Sequence, residues 1–258
     1  MIKKFGIQAW TVRDLMPMGD AATTAETFKK LSEYGYSELQ TIWLTLPAEE
    51  YAKLAHDNGI SVIGTHFEFD DMIANPEKTM ETHNILGAKC IGIGGMPKYA
   101  YENRDSLLRF CESVNKFAAI INKQGFRFTY HNHSTEFKKI SETETMMDIL
   151  FANLDPVTTS FCLDTYWVQH GGGDVRYWIE KLSGRIDILH LKDMKMGLDG
   201  VPAITSVGDG NLYFKGIVEA AEKAGVKHYI VEQDTNFVDN DPLKAAKNSA
   251  EYIKANLM

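Results

Sequence analysis

The sequence alternates short apolar segments with longer amphipathic segments, and this alternation limits the fold more than any other feature. The apolar segments have the length and the β-branched or aromatic content of buried strands. Predicted strands occupy residues 5–10, 36–43, 61–69, 90–93, 126–130, 186–191 and 228–231, with one more inside 157–167. A strand followed by a helix, repeated along the whole chain, is typical of a parallel sheet covered by helices.

The amphipathic segments carry recognisable start and stop signals for helices. Asp20 is suited to cap the first helix, while Pro47 and Pro76 are suited to open the next two. Glycines at the far ends, such as Gly184 and Gly225, are typical of helix termination. The remaining predicted helices cover residues 104–123, 142–151, 174–182, 213–224 and 241–256.

Eight such units without a Pro- or Ser-rich linker predict an α/β fold in which residues 1–258 form a single (β/α)8 TIM barrel domain. The alternative is an open, doubly wound sheet. That architecture usually has fewer strands, and its phosphate-binding fingerprint is missing. The glycines at 92–95 lack the G-x-G-x-x-G spacing and are expected to form a tight turn.

Composition restricts the partners. The formal charge of −8 argues against nucleic acid, because proteins that bind a phosphate backbone usually present a basic face. The three cysteines are too few and too scattered for a disulfide framework, which fits a reducing compartment. No long apolar stretch suggests a membrane helix or leader, so we expect a cytoplasmic protein with no membrane partner. The sequence is compatible with a homo-oligomer.

The most informative stretch, residues 126–137 (FRFTYHNHSTEF), is a predicted strand that ends in His131, His133 and Glu136. Imidazole and carboxylate groups this close together are typical of a divalent-metal site. Other predicted strands also end in polar groups, among them His66, Glu68, Asp164, Lys192 and Glu232. Because catalytic groups of (β/α)8 barrels lie at the carboxyl ends of strands, these side chains are predicted to share one rim.

The chain resembles the xylose isomerase-like family of sugar phosphate isomerases and epimerases, which includes inosose dehydratases and endonuclease IV relatives. The resemblance rests on residues 130–133 (YHNH), 163–167 (LDTYW), 190–193 (HLKD), 208–210 (GDG) and 231–232 (VE), and it covers essentially the whole chain. It implies one divalent metal held from strands five to eight. The matching positions are His131, Asp164, His190 and Glu232, and this nitrogen and oxygen set suits Mn²⁺, Co²⁺, Zn²⁺ or Fe²⁺.

The sequence departs from the commonest epimerase pattern at His131, where many family members carry a glutamate that binds metal and moves a proton. An imidazole leaves two anionic ligands, which neutralise a divalent ion rather than over-compensate it. The departure puts two-glutamate epimerisation in doubt. Glu136 is a candidate for the missing ligand or base, the alternative being a supporting or surface carboxylate.

Further site residues are predicted from their positions near strand ends. Candidate proton carriers are Glu232, His133, Glu136 and His66. Candidate substrate-binding residues are Lys192, Trp10, Glu38, Glu68 and Trp167. Each also has a structural alternative: Lys192 in a rim salt bridge, and the aromatics as filling of the barrel mouth.

The leading hypothesis is a metal-dependent sugar isomerase or epimerase that removes a proton beside a metal-bound carbonyl of a small ketose or keto-sugar. Loss of a leaving group instead would make it a lyase or dehydratase acting on an inosose or 3-keto-glycoside. An endonuclease IV-like phosphodiesterase and a non-catalytic sugar-binding barrel are less favoured. The only candidate phosphate loop, residues 208–211, contains Asp209, which opposes an anion, so we expect an unphosphorylated carbohydrate.

Overall fold

Eight parallel strands close into a barrel in a computed structural model that describes residues 1–258. The barrel strands are β1 (Gly6–Gln8), β2 (Glu38–Thr41), β3 (Ser61–His66), β4 (Cys90–Ile93), β5 (Arg127–His131), β6 (Thr159–Asp164), β7 (Ile186–Leu191) and β10 (His228–Val231). Each pairs with its neighbour in chain order, and β10 closes the ring between β7 and β1. The predicted TIM barrel is confirmed.

Helices connect the strands and cover the outside of the barrel. They are α1 (Ala21–Tyr34), α2 (Ala48–Asp57), α3 (Phe69–Ala74), α4 (Pro76–Leu86), α5 (Arg104–Asn122), α6 (Met146–Asn153), α7 (Thr165–His170), α8 (Val175–Lys181), α9 (Phe214–Lys223) and α10 (Pro242–Asn256). As predicted, the Asp20 carboxylate caps α1 by accepting from the Thr23 amide, and Pro76 opens α4. None of the helices has both the length and the apolar character that a membrane span requires.

Some predicted boundaries were wrong, and local capping contacts explain most of the differences. The strand predicted inside 157–167 is confirmed as β6, and it ends at Asp164 because the carboxylate of this residue accepts from the Trp167 amide and starts α7. The helix predicted from residue 142 begins at Met146, after a reciprocal capping pair between Thr145 and Asp148. Pro47 lies just outside α2, as its capping residue.

An antiparallel hairpin, β8 (Asp193–Met196) with β9 (Pro202–Thr205), was not predicted. It is inserted between β7 and α9, where the repeating pattern leads one to expect only a loop. Its tip is unusually apolar for a surface, since Leu198 is fully exposed and Val201 is largely exposed. The alternation of strand and helix therefore describes the barrel but not its additions.

The barrel interior is narrow at its centre, because glycines allow neighbouring strands to pack closely. A small buried cluster of Ile63, Cys90, Cys162, Ile188 and Ile230 is separate from the main core. Gly64 packs against this cluster, since a Cβ at Gly64 would lie 2.9 Å from the Cβ of Cys90 and 3.4 Å from Cδ1 of Ile188. The main core lies between the strands and the helices and contains the large aromatic residues.

We expect Gly92→Ala to destabilise the protein by about 1–3 kcal/mol, because a methyl group there overpacks the barrel. A Cβ at Gly92 would lie 2.3 Å from Oγ1 of Thr129 and 2.7 Å from the Thr65 carbonyl. Urea denaturation measures the change. Gly94→Ala is the matched control, because its new Cβ meets His66 at an ordinary 3.7 Å. Equal stability of the two variants would contradict this description of the barrel.

Candidate metal centre

Four side chains from neighbouring strands converge at the carboxyl end of the barrel. His131, Asp164 and His190 lie on β5, β6 and β7, and Glu232 follows β10. All four are buried, and their potential ligand atoms lie within 4.8 Å of one another. The structure thus brings together the four residues that the sequence resemblance had grouped.

Two carboxylate oxygens and two ring nitrogens face one another at this point. Asp164 Oδ2 lies 3.4 Å from His131 Nε2 and 3.5 Å from His190 Nδ1. Glu232 Oε2 lies 3.0 Å from the same nitrogen of His190 and 3.9 Å from that of His131. The other oxygen of Asp164 accepts from the Trp167 amide, so the orientation of this carboxylate is fixed from outside the cluster.

Hydrogen bonds behind the cluster set the orientations of both histidine rings. Nδ1 of His131 donates to the Gly94 carbonyl at 3.0 Å, which directs Nε2 toward the Asp164 carboxylate. Nε2 of His190 donates to Oε1 of Gln40 at 2.6 Å, which directs Nδ1 toward Oε2 of Glu232 at 3.0 Å. Metal-binding histidines usually donate their second ring N–H to such an acceptor, which fixes the orientation of the ring. The residues present therefore fit a divalent ion.

We expect Gln40→Leu to weaken binding of a divalent metal by about 10- to 100-fold, because it removes the acceptor that orients His190. Titration of chelator-treated protein with Mn²⁺ measures this effect. Gln8→Leu is the control, because the Gln8 amide contacts His66 rather than His190. Unchanged affinity in Gln40→Leu would show that the orientation given to His190 by Gln40 does not matter for metal binding.

Lys192 lies beside the cluster and is fully buried. Its Nζ is 2.7 Å from Oδ2 of Asp234, 3.1 Å from Oε2 of Glu232 and 3.6 Å from Oδ2 of Asp164. Burial alone would lower the pKa of Lys192, but the three carboxylates outweigh burial and hold that pKa above its usual value. Lys192 is therefore an ammonium ion. It takes part in a buried network with three carboxylates, whereas the alternative considered from the sequence was a single salt bridge at the rim.

A cavity of about 370 Å³ opens above these groups, which is within the usual size range of small-molecule sites. The floor of the cavity is formed by His131 and Glu232 of the cluster and by the neighbouring Lys192. Its walls include Trp10, Trp43, His66, Phe67, Glu68 and His133. The cavity thus contains most of the residues that were predicted to meet a substrate.

A model of the xylose isomerase-like TIM barrel family matches residues 28–256. The chain belongs to this family. An inosose dehydratase of Mesomycoplasma hyopneumoniae is 23% identical, with 95% of this chain and 93% of the relative covered. An inosose dehydratase of Clostridium perfringens is 25% identical, with coverages of 89% and 80%. A crystal structure of a sugar phosphate isomerase/epimerase from Parabacteroides distasonis has a TM-score of 0.85 at 22% identity, and 99% of each chain is covered.

The two histidines predicted as proton carriers have different surroundings in this xylose isomerase-like barrel. The ring of His133 lies against the cavity between His131 and Trp167, and burial lowers its pKa to about 3. Both ring nitrogens of His66 face amide groups instead, Gln40 at 2.8 Å and Gln8 at 3.3 Å. His133 is neutral and lines the cavity. His66 also lines the cavity but with both ring nitrogens held by amide groups, and its role as a proton carrier stays a prediction.

The predicted direct role of Glu136 is corrected. This carboxylate is fully buried and accepts from the Tyr130 hydroxyl at 2.7 Å, the Tyr101 hydroxyl at 3.3 Å and the His133 amide at 3.0 Å. Its oxygens are occupied by these donors, and it is not among the residues that line the cavity. Glu136 therefore holds the turn that positions His133.

The prediction that Glu38 binds substrate was wrong. Glu38 is the first residue of β2 and lies at the opposite rim, where it pairs with Lys4 at 2.5 Å and with Nδ1 of His228 at 2.9 Å. The predicted strand, residues 36–43, was longer than β2, so the prediction did not show that Glu38 lies at the start of the strand. The ring of Trp167 packs on His133 and Lys192, two residues that line the cavity, and its contact with a substrate stays a prediction.

Sequence reasoning did not assign roles to Gln40, Asp234 or the Gly94 carbonyl. Gln40 and Asp234 were visible as polar residues near strand ends, but nothing in their spacing showed which neighbours they contact. The Gly94 carbonyl is a backbone group that no side-chain pattern reveals. This carbonyl can accept from His131 because the pairing of β4 with β5 brings the turn after Ile93 close to the His131 ring.

The glycine loop at 208–211 is occupied internally. The amides of Gly208, Gly210 and Leu212 donate to the carboxylate of Asp193 at 2.9, 3.0 and 3.2 Å. A Cβ at Gly210 would lie 2.3 Å from Oδ1 of Asp193, so the glycine is needed for this approach. The loop thus presents its donors to a carboxylate of the protein rather than to a phosphate.

Proposed function

We propose that this protein is a divalent-metal-dependent enzyme that removes a proton from the carbon next to the carbonyl of a keto-sugar or inosose. The observation that carries the proposal is the cluster of His131, Asp164, His190 and Glu232, whose ligand atoms lie within 4.8 Å of one another. Two of the four, His131 and Glu232, line the polar cavity. A divalent ion held by these four residues would supply Lewis acidity to a substrate carbonyl.

Within this site, Glu232 is the base that the contacts favour. Its Oε2 is engaged by His190 and Lys192, which leaves Oε1 to take a proton from the substrate. The Lys192 ammonium is suited to donate a hydrogen bond to a substrate oxygen that gains negative charge. Trp10 and Phe67 line the cavity and would shield a bound substrate from water.

The fate of the proton decides the reaction class. Return of the proton to another carbon or face would complete an isomerisation or epimerisation, and His133, whose ring lines the cavity, is placed to relay it. A lyase or dehydratase is the second candidate, and one observation favours it: the Lys192 ammonium beside Glu232 can donate a hydrogen bond to a departing oxygen, which would then take up the proton from Glu232. The inosose dehydratase names of the sequence relatives agree with this second outcome.

The other sequence hypotheses find less support. An endonuclease IV-like activity generally needs several metals, yet the second candidate ligand group, His66, Cys162 and His190, shares His190 with the first. In addition, His66 Nε2 and His190 Nε2 are both hydrogen-bonded to Gln40. The internal occupation of the 208–211 loop supports an unphosphorylated substrate, because the expected phosphate donors are already used.

Solvent deuterium incorporation tests the proposed function. Chelator-treated protein reloaded with Mn²⁺ is incubated in D₂O with free and phosphorylated ketoses, inososes and 3-keto-glucosides, and exchange is followed by NMR. We expect metal-dependent exchange beside the carbonyl of an unphosphorylated compound. Loss of water or of an aglycone would identify a lyase, whereas absence of exchange from every compound would contradict the proposal.

A further inference from the structure

A second cavity continues the candidate active site away from the metal cluster. It has a volume of about 620 Å³, larger than the first, and the two share Trp43, His66, Phe67 and Glu68 as common walls. The distal cavity lies over α3 and the first turns of α4, where Met72 forms part of its floor. The two cavities thus form one cleft with a proximal part at the cluster and a distal part over these helices.

The junction of the two parts is aromatic and held in place. Trp43 is 52% exposed although it is a large apolar side chain. Its ring meets that of Trp10 edge to face at 5.5 Å, and the Arg13 guanidinium lies 4.2 Å from the centre of the Trp10 ring. An exposed, supported indole next to a polar cavity is suited to stack on the apolar face of a sugar ring.

The distal part is lined by both hydrogen-bond donors and acceptors. Its polar residues include Asp71, Asn75, Lys78 and Thr82. Asn75 immediately precedes α4, yet its side chain does not cap that helix and so keeps its amide for other partners. A sugar hydroxyl can both donate and accept, which matches this mixture. A phosphate would meet Asp71 and Glu68 beside a single lysine, so the charges do not favour an anion.

We propose that the distal part of the cleft binds a second sugar ring, so that the substrate is a disaccharide-sized glycoside with its keto ring over the metal cluster. This inference rests on the proposed function, because it assigns the proximal part to the reacting ring. The size of the distal part is its main support, since a single ring would occupy the proximal part and leave the larger volume empty.

Direct binding tests the inference without any need for turnover. Chelator-treated protein reloaded with Mn²⁺ is titrated by calorimetry with glucose disaccharides, each paired with the methyl glucoside of the same anomer and with the 4-nitrophenyl glucoside. We expect at least one disaccharide to bind about tenfold more tightly than its methyl glucoside. The double variant Asn75→Ala/Lys78→Ala should remove this advantage and leave methyl glucoside binding unchanged, because two hydrogen bonds contribute roughly this factor.

Glu77→Ala is the matched control, since Glu77 lies between the two substituted residues but does not line the cleft. Equal binding of disaccharide and methyl glucoside to the unmodified protein would overturn the inference. The inference would also be overturned if the nitrophenyl glucoside bound more tightly than every disaccharide and its binding were unaffected by the double substitution. That result would indicate that the distal part binds an aromatic group. Deuterium exchange with the 3-keto derivatives is read separately: absence of exchange together with variant-sensitive disaccharide binding would reject the proposed function and keep the subsite.

Discussion

Replacing Glu232 with glutamine is expected to lower the rate of deuterium exchange at the substrate carbon by about 10²- to 10⁴-fold, the usual contribution of a positioned general base. The amide keeps the size of the side chain and an oxygen that can contact His190 and Lys192, but it cannot take up a proton. Exchange followed by NMR in D₂O with the Mn²⁺-loaded variant measures the effect. The metal content of the variant is determined on the same sample.

Two comparisons make the Glu232 result interpretable. Glu251→Gln serves as the control, because Glu251 is an exposed residue of α10 that pairs only with Lys247. A variant that keeps its metal and loses exchange supports the role of Glu232 as the base. Exchange at the unmodified rate in metal-loaded Glu232→Gln would contradict it and would transfer the role to His133.

Lys192→Met is expected to destabilise the metal-free protein by about 3–5 kcal/mol, because removing one partner of a buried ionic network leaves its other charges uncompensated. The ammonium lies within 3.6 Å of three carboxylates, those of Asp164, Glu232 and Asp234. A divalent ion would replace much of the lost positive charge. We therefore expect saturating Mn²⁺ to recover a large part of the stability of the variant.

Urea denaturation in the presence of a chelator and in the presence of Mn²⁺ measures both effects of Lys192→Met. Lys195→Met is the control, since Lys195 lies on β8 with its side chain exposed. Equal stability of the two variants under chelation would contradict the assigned network. Destabilisation that Mn²⁺ does not reverse would show that Lys192 supports the fold without being coupled to a metal at the cluster.

The barrel was predictable because its information is local. Apolar runs such as 186–191 and 228–231 coincide with observed strands, and Asp20 and Pro76 begin the helices for which they were proposed. The errors occurred where a tertiary or capping contact replaced the periodic signal. Asp164 ends its strand by capping α7, and the β8–β9 hairpin is an insertion that no repeating pattern anticipates.

The candidate centre was predictable for a different reason. In a parallel barrel the ends of successive strands must lie on one rim, so polar residues at those ends are brought together whatever the loops do. His131, Asp164, His190 and Glu232 illustrate this rule. The rule does not say which partner a side chain chooses. Glu136 was expected near the metal, yet three internal donors hold it behind His133.

Residues at the start of a strand are a further weakness of such reasoning. Glu38 and Gln40 are two positions apart on β2, yet Glu38 pairs with Lys4 and His228 on one rim while Gln40 orients His190 near the other. Because β2 has only four residues, an error of two positions in a predicted strand end moves a side chain from the stabilising rim of the barrel to the catalytic rim. Only the register of β2 against β1 and β3 resolves this assignment.

Stoichiometric metal binding tests the central claim most directly. Protein freed of metal by a chelator is titrated with Mn²⁺ and with Zn²⁺, and bound metal is determined by elemental analysis for the unmodified chain, His131→Ala and Asp164→Ala. A single site formed by His131, Asp164, His190 and Glu232 predicts one ion per chain in the unmodified protein and a large loss of bound metal in both variants. Full metal content in both variants, or no bound ion in the unmodified protein, would contradict the account.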